Sequence, residues 1–234
     1  MVIAATSDIH GFIDNLKEDV EAIKPDVFVI AGDLHPCYIG EDPDVWFAKK
    51  FFPLVRQLSI PVVAIPGNHD FWLNKHLCAC QSKTISIPRN FHLLCDSSVT
   101  IKGVRFYGTP WVPWINGNWC WEASDKTLMF QFSRIPRGVD VLITHTPPKV
   151  NHQFLDISLR KPQQYWRHFG SPELTEAIRA KKPRISICGH IHSGQHGGVE
   201  IKDSNGQPVC KSYNVSRVDE GYFVAYEIEK IVLD

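Results

Sequence analysis

Apolar, β-prone runs recur along this chain, and each stops at a short polar cluster. Val2-Ile3-Ala4-Ala5-Thr6 leads into Ser7-Asp8-Ile9-His10-Gly11, and Val27 to Ala31 leads into Gly32-Asp33. Val62 to Ile65 runs into Pro66-Gly67-Asn68-His69-Asp70, Val139 to Thr144 into His145-Thr146-Pro147-Pro148, and Ile185 to Cys188 into Gly189-His190-Ile191-His192. Strands that are apolar at successive positions, not alternate ones, are buried on both faces of a sheet. The spacing predicts helices between several of them. Ile13, Leu16, Val20 and Ile23 recur at helical intervals before Lys24-Pro25. Val45 to Leu58 reads as a second helical stretch, which Pro53 must start, kink or split. Ser171-Pro172-Glu173 reads as an N-cap with proline at the first helical position. Leu174, Ile178 and Lys181-Lys182 then supply an apolar face and a favourable C-terminus.

Alternating strands and helices predict an α/β domain with a layered core. Lys102 to Trp114 and the tail from Lys211 to Val232 read instead as consecutive strands with short turns, adding antiparallel pairs. The expected architecture is α/β, a mixed β-sandwich flanked by helices. The 234 residues read as one domain, 1–234, without a linker or low-complexity segment. In such sheets ligand sites gather beyond the carboxyl ends of the strands, where all five polar clusters fall.

Charge and cysteine usage narrow the partners. Lys plus Arg and Asp plus Glu both number 25, a formal net charge of zero. That balance, with no long basic run, argues against gripping nucleic acid or an anionic membrane by bulk electrostatics. The stretch MVIAATSDIHGF lacks the basic flank and long apolar segment of a signal peptide. No apolar run approaches the ~20 residues that cross a bilayer. The seven cysteines (37, 78, 80, 95, 120, 188, 210) are odd in number and irregularly spaced, which favours reduced thiols and a cytoplasmic location. Cys78-x-Cys80 has no second pair at zinc-finger spacing and reads as packing.

The clusters supply Asp8, His10, Asp33, Asn68, His69, His145, His190 and His192. Carboxylate, imidazole and amide oxygen are ligands that Mn, Fe, Co, Ni and Zn accept. In an extended segment residues i and i+2 point the same way, so Asp8 with His10, and His190 with His192, are expected to converge. A lone histidine after a strand is more often structural. The argument for chemistry lies in the joint set.

The order Asp8-Ile9-His10, Gly32-Asp33, Gly67-Asn68-His69-Asp70, His145 and Gly189-His190-Ile191-His192 resembles the motif series of the calcineurin-like metallophosphoesterase family, over nearly the whole chain. Tyr107-Gly108-Thr109-Pro110-Trp111 and Pro147-Pro148 are similar to a subgroup named as metallophosphoesterase-domain-containing proteins. The resemblance implies the metallo-dependent phosphatase fold and two divalent cations, with Mn favoured among Mn, Fe, Zn, Co and Ni. Asp8, His10 and His192 would hold the first cation, Asn68, His145 and His190 the second, and Asp33 would bridge them, one oxygen on each. Two carboxylates against two dications leave a site charge of about +2, which attracts phosphate and lowers the pKa of water. The implied activity is hydrolysis of a small phosphodiester or phosphomonoester by a metal-bound hydroxide. By the same resemblance His69 faces the substrate, steadying the transition state or protonating the leaving oxygen. Asp70 would hold the His69 imidazole in one orientation.

The family includes phosphoprotein phosphatases, phosphodiesterases and nucleases. The alternative reading is a catalytically weak or inactive binding module that kept the fold. Some features carry two readings. His35 follows the bridging motif and either faces the cleft or sits in a surface loop. Trp111, Trp114, Trp119 and Trp121 either pack a loop or form a wall for a substrate ring. His168-Phe169-Gly170 lies in a polar insertion, Lys149 to Gly170, placed to overhang the site. His76, His92, His152 and His196 read as surface or structural.

Overall fold

The computed structural model describes residues 1–36, 42–75, 86–150, 154–159, 162–218 and 226–233. Cys37, His76, Cys78, Cys80 and His152 lie outside the described residues. In one sheet β1 (Val2–Thr6), β2 (Val27–Ala31), β3 (Val62–Ile65) and β4 (Phe91–Leu93) run parallel, with β13 (Glu229–Val232) antiparallel on the β1 edge. In another β6 (Val104–Thr109), β9 (Val141–Thr144), β10 (Ile185–Cys188) and β12 (Pro208–Asn214) run parallel. This second sheet is edged by the antiparallel β5 (Ser97–Ile101) and β11 (Gly197–Lys202). The fold is therefore mixed α/β, with parallel and antiparallel pairing and helices on the outside.

Burial on both faces explains the continuous apolar runs. In β2 the side chains of Val27, Val29 and Ala31 enter the layer between the sheets, against Phe106, Val141, Ile143 and Ile187. Phe28 and Ile30, pointing the other way, pack under the helices. These helices are α1 (Leu16–Ile23), α2 (Pro43–Trp46) and α3 (Phe52–Gln57), contributing Leu16, Val20, Trp46, Phe52 and Val55. On the far side α5 (Asp125–Ser133) and α6 (Pro172–Lys181) cover Tyr107 and Leu142 with Leu128, Phe132, Leu174 and Ile178. Each such fully buried side chain contributes roughly 1.5–3 kcal/mol of transfer free energy. The short α4 (Phe71–Leu73) follows the third polar cluster.

The expected caps and breaks take specific forms. Ser171 Oγ accepts from Leu174 N at 3.1 Å, with Pro172 at the first helical position. Pro53 splits its helical stretch: a π turn at Phe47–Phe51 links α2 to α3, and the wider turn precedes the residue that cannot donate. The regions expected to be consecutive strands divide differently. Lys102 and Gly103, both left-handed (φ 48° and 82°), turn β5 into β6, while β7 (Val112–Pro113) leaves to pair in parallel with β8 (Glu122–Ala123). In the tail β12 joins the second sheet and β13 the first, so the two are not neighbours. Alternation identifies which face of a strand is buried but not which strand it joins. Cys95, Cys120, Cys188 and Cys210 are thiols, not disulfides. Among the described residues no helix is long and apolar enough to cross a membrane.

Candidate metal centre

Loops leaving the carboxyl ends of β1, β2, β3, β9 and β10 meet where the two sheets come together. Ser7 N donates to Val215 O at 2.9 Å and Arg217 N to Ser7 O at 2.8 Å, joining the chain beyond β12 to that beyond β1. The side chains do not converge by strand alternation. Asp8 (φ 52°), His10 (φ 42°), Asp33 (φ 54°) and His190 (φ 70°) are all left-handed, a costly conformation for residues with a Cβ. The i, i+2 expectation is corrected accordingly: tight left-handed turns, not extended backbone, aim Asp8, His10 and His190 inward. Close approach needs glycine at two places. A Cβ on Gly67 would overlap Asp33, and one on Gly189 would overlap Ser7 and Asp8.

Two groups of lone-pair atoms result. Asp8, His10 and His192 offer ligand atoms within 4.8 Å of one another, as do Asp8, Asp33 and His145. In the first, His192 Nε2 lies 3.2 Å from Asp8 Oδ1 and 3.2 Å from His10 Nε2. In the second, His145 Nε2 lies 3.3 Å from Asp33 Oδ2 and 2.9 Å from Asn68 Oδ1. Asp33 Oδ2 also faces His10 Nε2 at 3.8 Å, which puts it between the groups. Asp33 Oδ1 instead accepts the His69 backbone N–H at 2.9 Å. Oδ2 is thus the Asp33 oxygen turned toward both His145 and His10. His190 belongs to neither group. Its ring centroid is 5.0 Å from that of His145, and its backbone N–H donates to Asp8 Oδ2 at 2.9 Å.

This donor set fits divalent cations. Ligands about 2.1 Å from one ion at 90–110° stand roughly 3.0–3.4 Å apart, which matches the first group. Two imidazole nitrogens at 3.2 Å also need a proton or a cation between them. His145 Nδ1 donates to Ala31 O at 2.8 Å, which turns Nε2 toward Asp33 and Asn68. Without metal the charges sort unevenly. Burial would lower the His145 imidazole, but the Asp33 carboxylate beside it outweighs burial and pushes it up to about 9. Burial, with His145 adding repulsion, takes His190 down to about 3, and burial holds His10 at about 4 against the pull of Asp33 and Asp8. Burial would raise Asp8 and Asp33, yet the surrounding histidines hold both well below the usual carboxylate range.

His69 Nε2 stands 4.0 Å from Asp33 Oδ2, and its ring lies 4.2 Å from that of Trp119. Its side chain is 13% exposed where those of His145 and Asp8 are fully buried, so it meets the open side of the site. Asp70 does something other than orient it. Asp70 Oδ1 and Oδ2 accept from Leu34 N (3.0 and 3.1 Å), Oδ1 from His35 N (3.0 Å) and Oδ2 from Gly67 N (2.8 Å). Burial and the neighbouring Asp33 charge push its carboxyl up to about 7 against those donors. The structure thus places the Asp70 carboxylate on the backbone of the Asp33 and Asn68 loops, beneath the site.

The remaining ambiguous residues separate cleanly. His35 packs against Phe47 and Trp46, with centroids 6.0 and 5.6 Å apart, on the helix side. His168 Nδ1 pairs with buried Asp156 Oδ1 at 2.8 Å. Trp111 Nε1 donates to Asp96 at 2.9 Å and meets Trp121 edge-on, whereas Trp119 covers His69. Ser216 was not among the expected residues: its Oγ lies 2.9 Å from both Asp8 Oδ2 and Asn214 Oδ1, which share its one hydrogen, and its N–H donates to Asn214 Oδ1 at 3.1 Å. Tyr213-Asn214-Val215-Ser216 repeats the strand-then-polar rhythm, which was the available signal.

The calcineurin-like phosphoesterase family model matches residues 1–194. This chain belongs to that family. Metallophosphoesterase domain-containing protein 1 of Homo sapiens, and likewise that of Mus musculus, is 40% identical over 210 residues, covering 80% of this chain and 59% of the relative. The chain spans less than two thirds of the length of these relatives. Among solved structures, TT1561 of Thermus thermophilus superposes with a TM-score of 0.63 at 15% identity, covering 98% of this chain and 97% of that one. That likeness is one of fold. For this family member, the matched span contains every residue of both ligand groups.

Proposed function

We propose that the chain is a hydrolase of small phosphodiesters or phosphomonoesters that works with two divalent cations, manganese favoured. The reading rests on one observation above all: two groups of convergent lone-pair atoms adjoin at the carboxyl ends of parallel strands, with Asp8 common to both and Asp33 Oδ2 facing His145 at 3.3 Å and His10 at 3.8 Å. Asp8, His10 and His192 hold one cation, Asn68, His145 and His190 the other, and Asp33 is shared. When bound, such a pair polarises phosphoryl oxygens and lowers the pKa of the attacking water. The histidines and Asn68 fix where the phosphate rests, while Ser216 and the His190 N–H hold the Asp8 carboxylate in place. His69 faces the ester and supplies a proton to the leaving oxygen or a charge to the transition state. The net charge of zero favours a small ester over long nucleic acid. The inactive-module alternative is disfavoured because no ligand-type residue of the motifs is missing.

The test is metal analysis of protein purified without chelator, with Asp33→Ala beside it, and a phosphoester screen under Mn, Co, Ni, Fe and Zn in turn. About two ions in the native chain, fewer in the variant, and metal-dependent turnover are expected. Full occupancy in Asp33→Ala would sink the ligand assignment.

A further inference from the structure

A pocket of about 450 Å³ is lined in part by His190 and His192. Its walls include Trp114, Ile115 and Phe169, and among the described residues that line it Arg167 is the formally charged side chain and none is acidic. The Arg167 guanidinium lies over the Phe169 ring, 4.8 Å from its centroid. Among the described residues it has no carboxylate partner. Stacking of this kind holds the planar fork in one orientation with its N–H edges available, the arrangement that recognises a planar oxyanion.

The wall is not a loose flap. Asp156, fully buried, accepts from His168 Nδ1 (2.8 Å) and from Gly170 N (3.1 Å), and its carbonyl accepts from Phe169 N (2.9 Å). Asn214 Nδ2 donates to Leu155 O at 3.1 Å and to Ile191 O at 2.8 Å, so one amide ties this insertion to the His190-His192 loop. The backbone on either side of Arg167 and Phe169 is thereby tied to the loop that carries the two histidines.

We propose that this pocket is a specificity site for the non-transferred part of the ester. Its ligand is a flat ring that lies against Trp114 and Phe169 and carries a second anionic group read by Arg167. The proposal rests on the hydrolase reading for the placement of the phosphate at His190 and His192. Among the described residues its one hydroxyl, Ser158 Oγ, is already bonded to Ser193 Oγ at 3.2 Å, and the aromatic walls of Trp114 and Phe169 suit a ring more than a sugar-like polyol. Arg167, lining the same pocket as His190 and His192, suits a substrate with negative charge at both ends.

Binding, measured by calorimetry on metal-loaded protein, tests this without turnover. The native chain should bind 4-phosphonobenzoate about 10–100-fold more tightly than phenylphosphonate, the span of one charge-assisted pair. Arg167→Ala should abolish that preference while leaving phenylphosphonate within about 2-fold, and Arg167 is exposed, so the fold should survive. Phe169→Ala and Trp114→Ala should weaken phenylphosphonate but not methylphosphonate. No preference in the native chain, a preference that survives Arg167→Ala, or no binding of either aryl probe overturns the proposal. Hydrolysis of phenyl phosphate and 4-carboxyphenyl phosphate is followed in parallel. Absent turnover of these monoesters and of their methyl aryl diesters, with the binding preference intact, would overturn the hydrolase reading and leave the pocket assignment standing.

Discussion

His69 and Asp70 are adjacent in the chain and meet opposite surroundings, which separates their roles more sharply than their motif does. The His69 amide is held by Asp33 Oδ1, while its ring, backed by Trp119, reaches the open side. The Asp70 carboxylate is occupied by backbone amides. Removing the His69 imidazole should therefore lower kcat more than it weakens binding, by about 10²–10⁴-fold in His69→Ala. Metal content should stay at the native level. Esters with good leaving groups, such as nitrophenyl, should lose less than alkyl esters if the ring donates a proton; steady-state kinetics on the two classes beside metal analysis decides it. Loss of one ion in the variant would make His69 a ligand instead. Residue types in order were enough to find these side chains. Ser216 escaped because a serine after a strand has many ordinary uses, and only its contact with Asp8 distinguishes it.

The turns that follow the strands do the aiming. Asp8, His10, Asp33 and His190 carry conformational strain that neighbouring packing offsets, and the glycines leave room for them. Gly189 has no left-handed φ, so its requirement is space and not torsion. Gly189→Ala should push Ser7 and Asp8 aside, destabilising the chain by about 1–3 kcal/mol and weakening metal binding together. A urea midpoint that falls at unchanged m, with a weaker metal titration, is the expected result; native stability with native affinity would show that the loop yields freely. The positions of α1 and α6 were legible from periodicity, and for α6 from its cap, because each buries one face, whereas the position of α5 was not. The π turn before Pro53 was not, since proline requires a break but leaves its form to packing around Trp46 and Phe51.

At the scale of the molecule, the site closes the seam between two sheets, so ions bound there would hold the halves together. Ligand that binds only the folded state stabilises by about 2.7 kcal/mol per site at 100 times Kd. For a chain of this size that is a rise in Tm of roughly 5–10 °C. Calorimetry with manganese, then with excess chelator, should show that shift, and Asp33→Ala should lose most of it. An unchanged Tm on chelation would mean that the carboxylates and imidazoles are self-sufficient. The same seam carries the strand exchange in the tail, where β12 serves one sheet and β13 the other.

What the sequence by itself determined was the layered α/β class, the doubly buried strands and the identity of the polar residues beyond them. Those properties depend on local periodicity and on residue chemistry, both of which survive in one dimension. Tertiary structure alone decided that left-handed turns, not strand alternation, bring Asp8 and His10 together. It also decided that Asp33 turns Oδ2 toward both His145 and His10, that Asp70 accepts backbone amides, and that Trp119 packs on His69 and Arg167 lines a pocket beside His190 and His192. Each of these depends on which atoms arrive at the same place after residues far apart in sequence have packed. No spacing along the chain encodes that, because the distances are set by the core between the sheets.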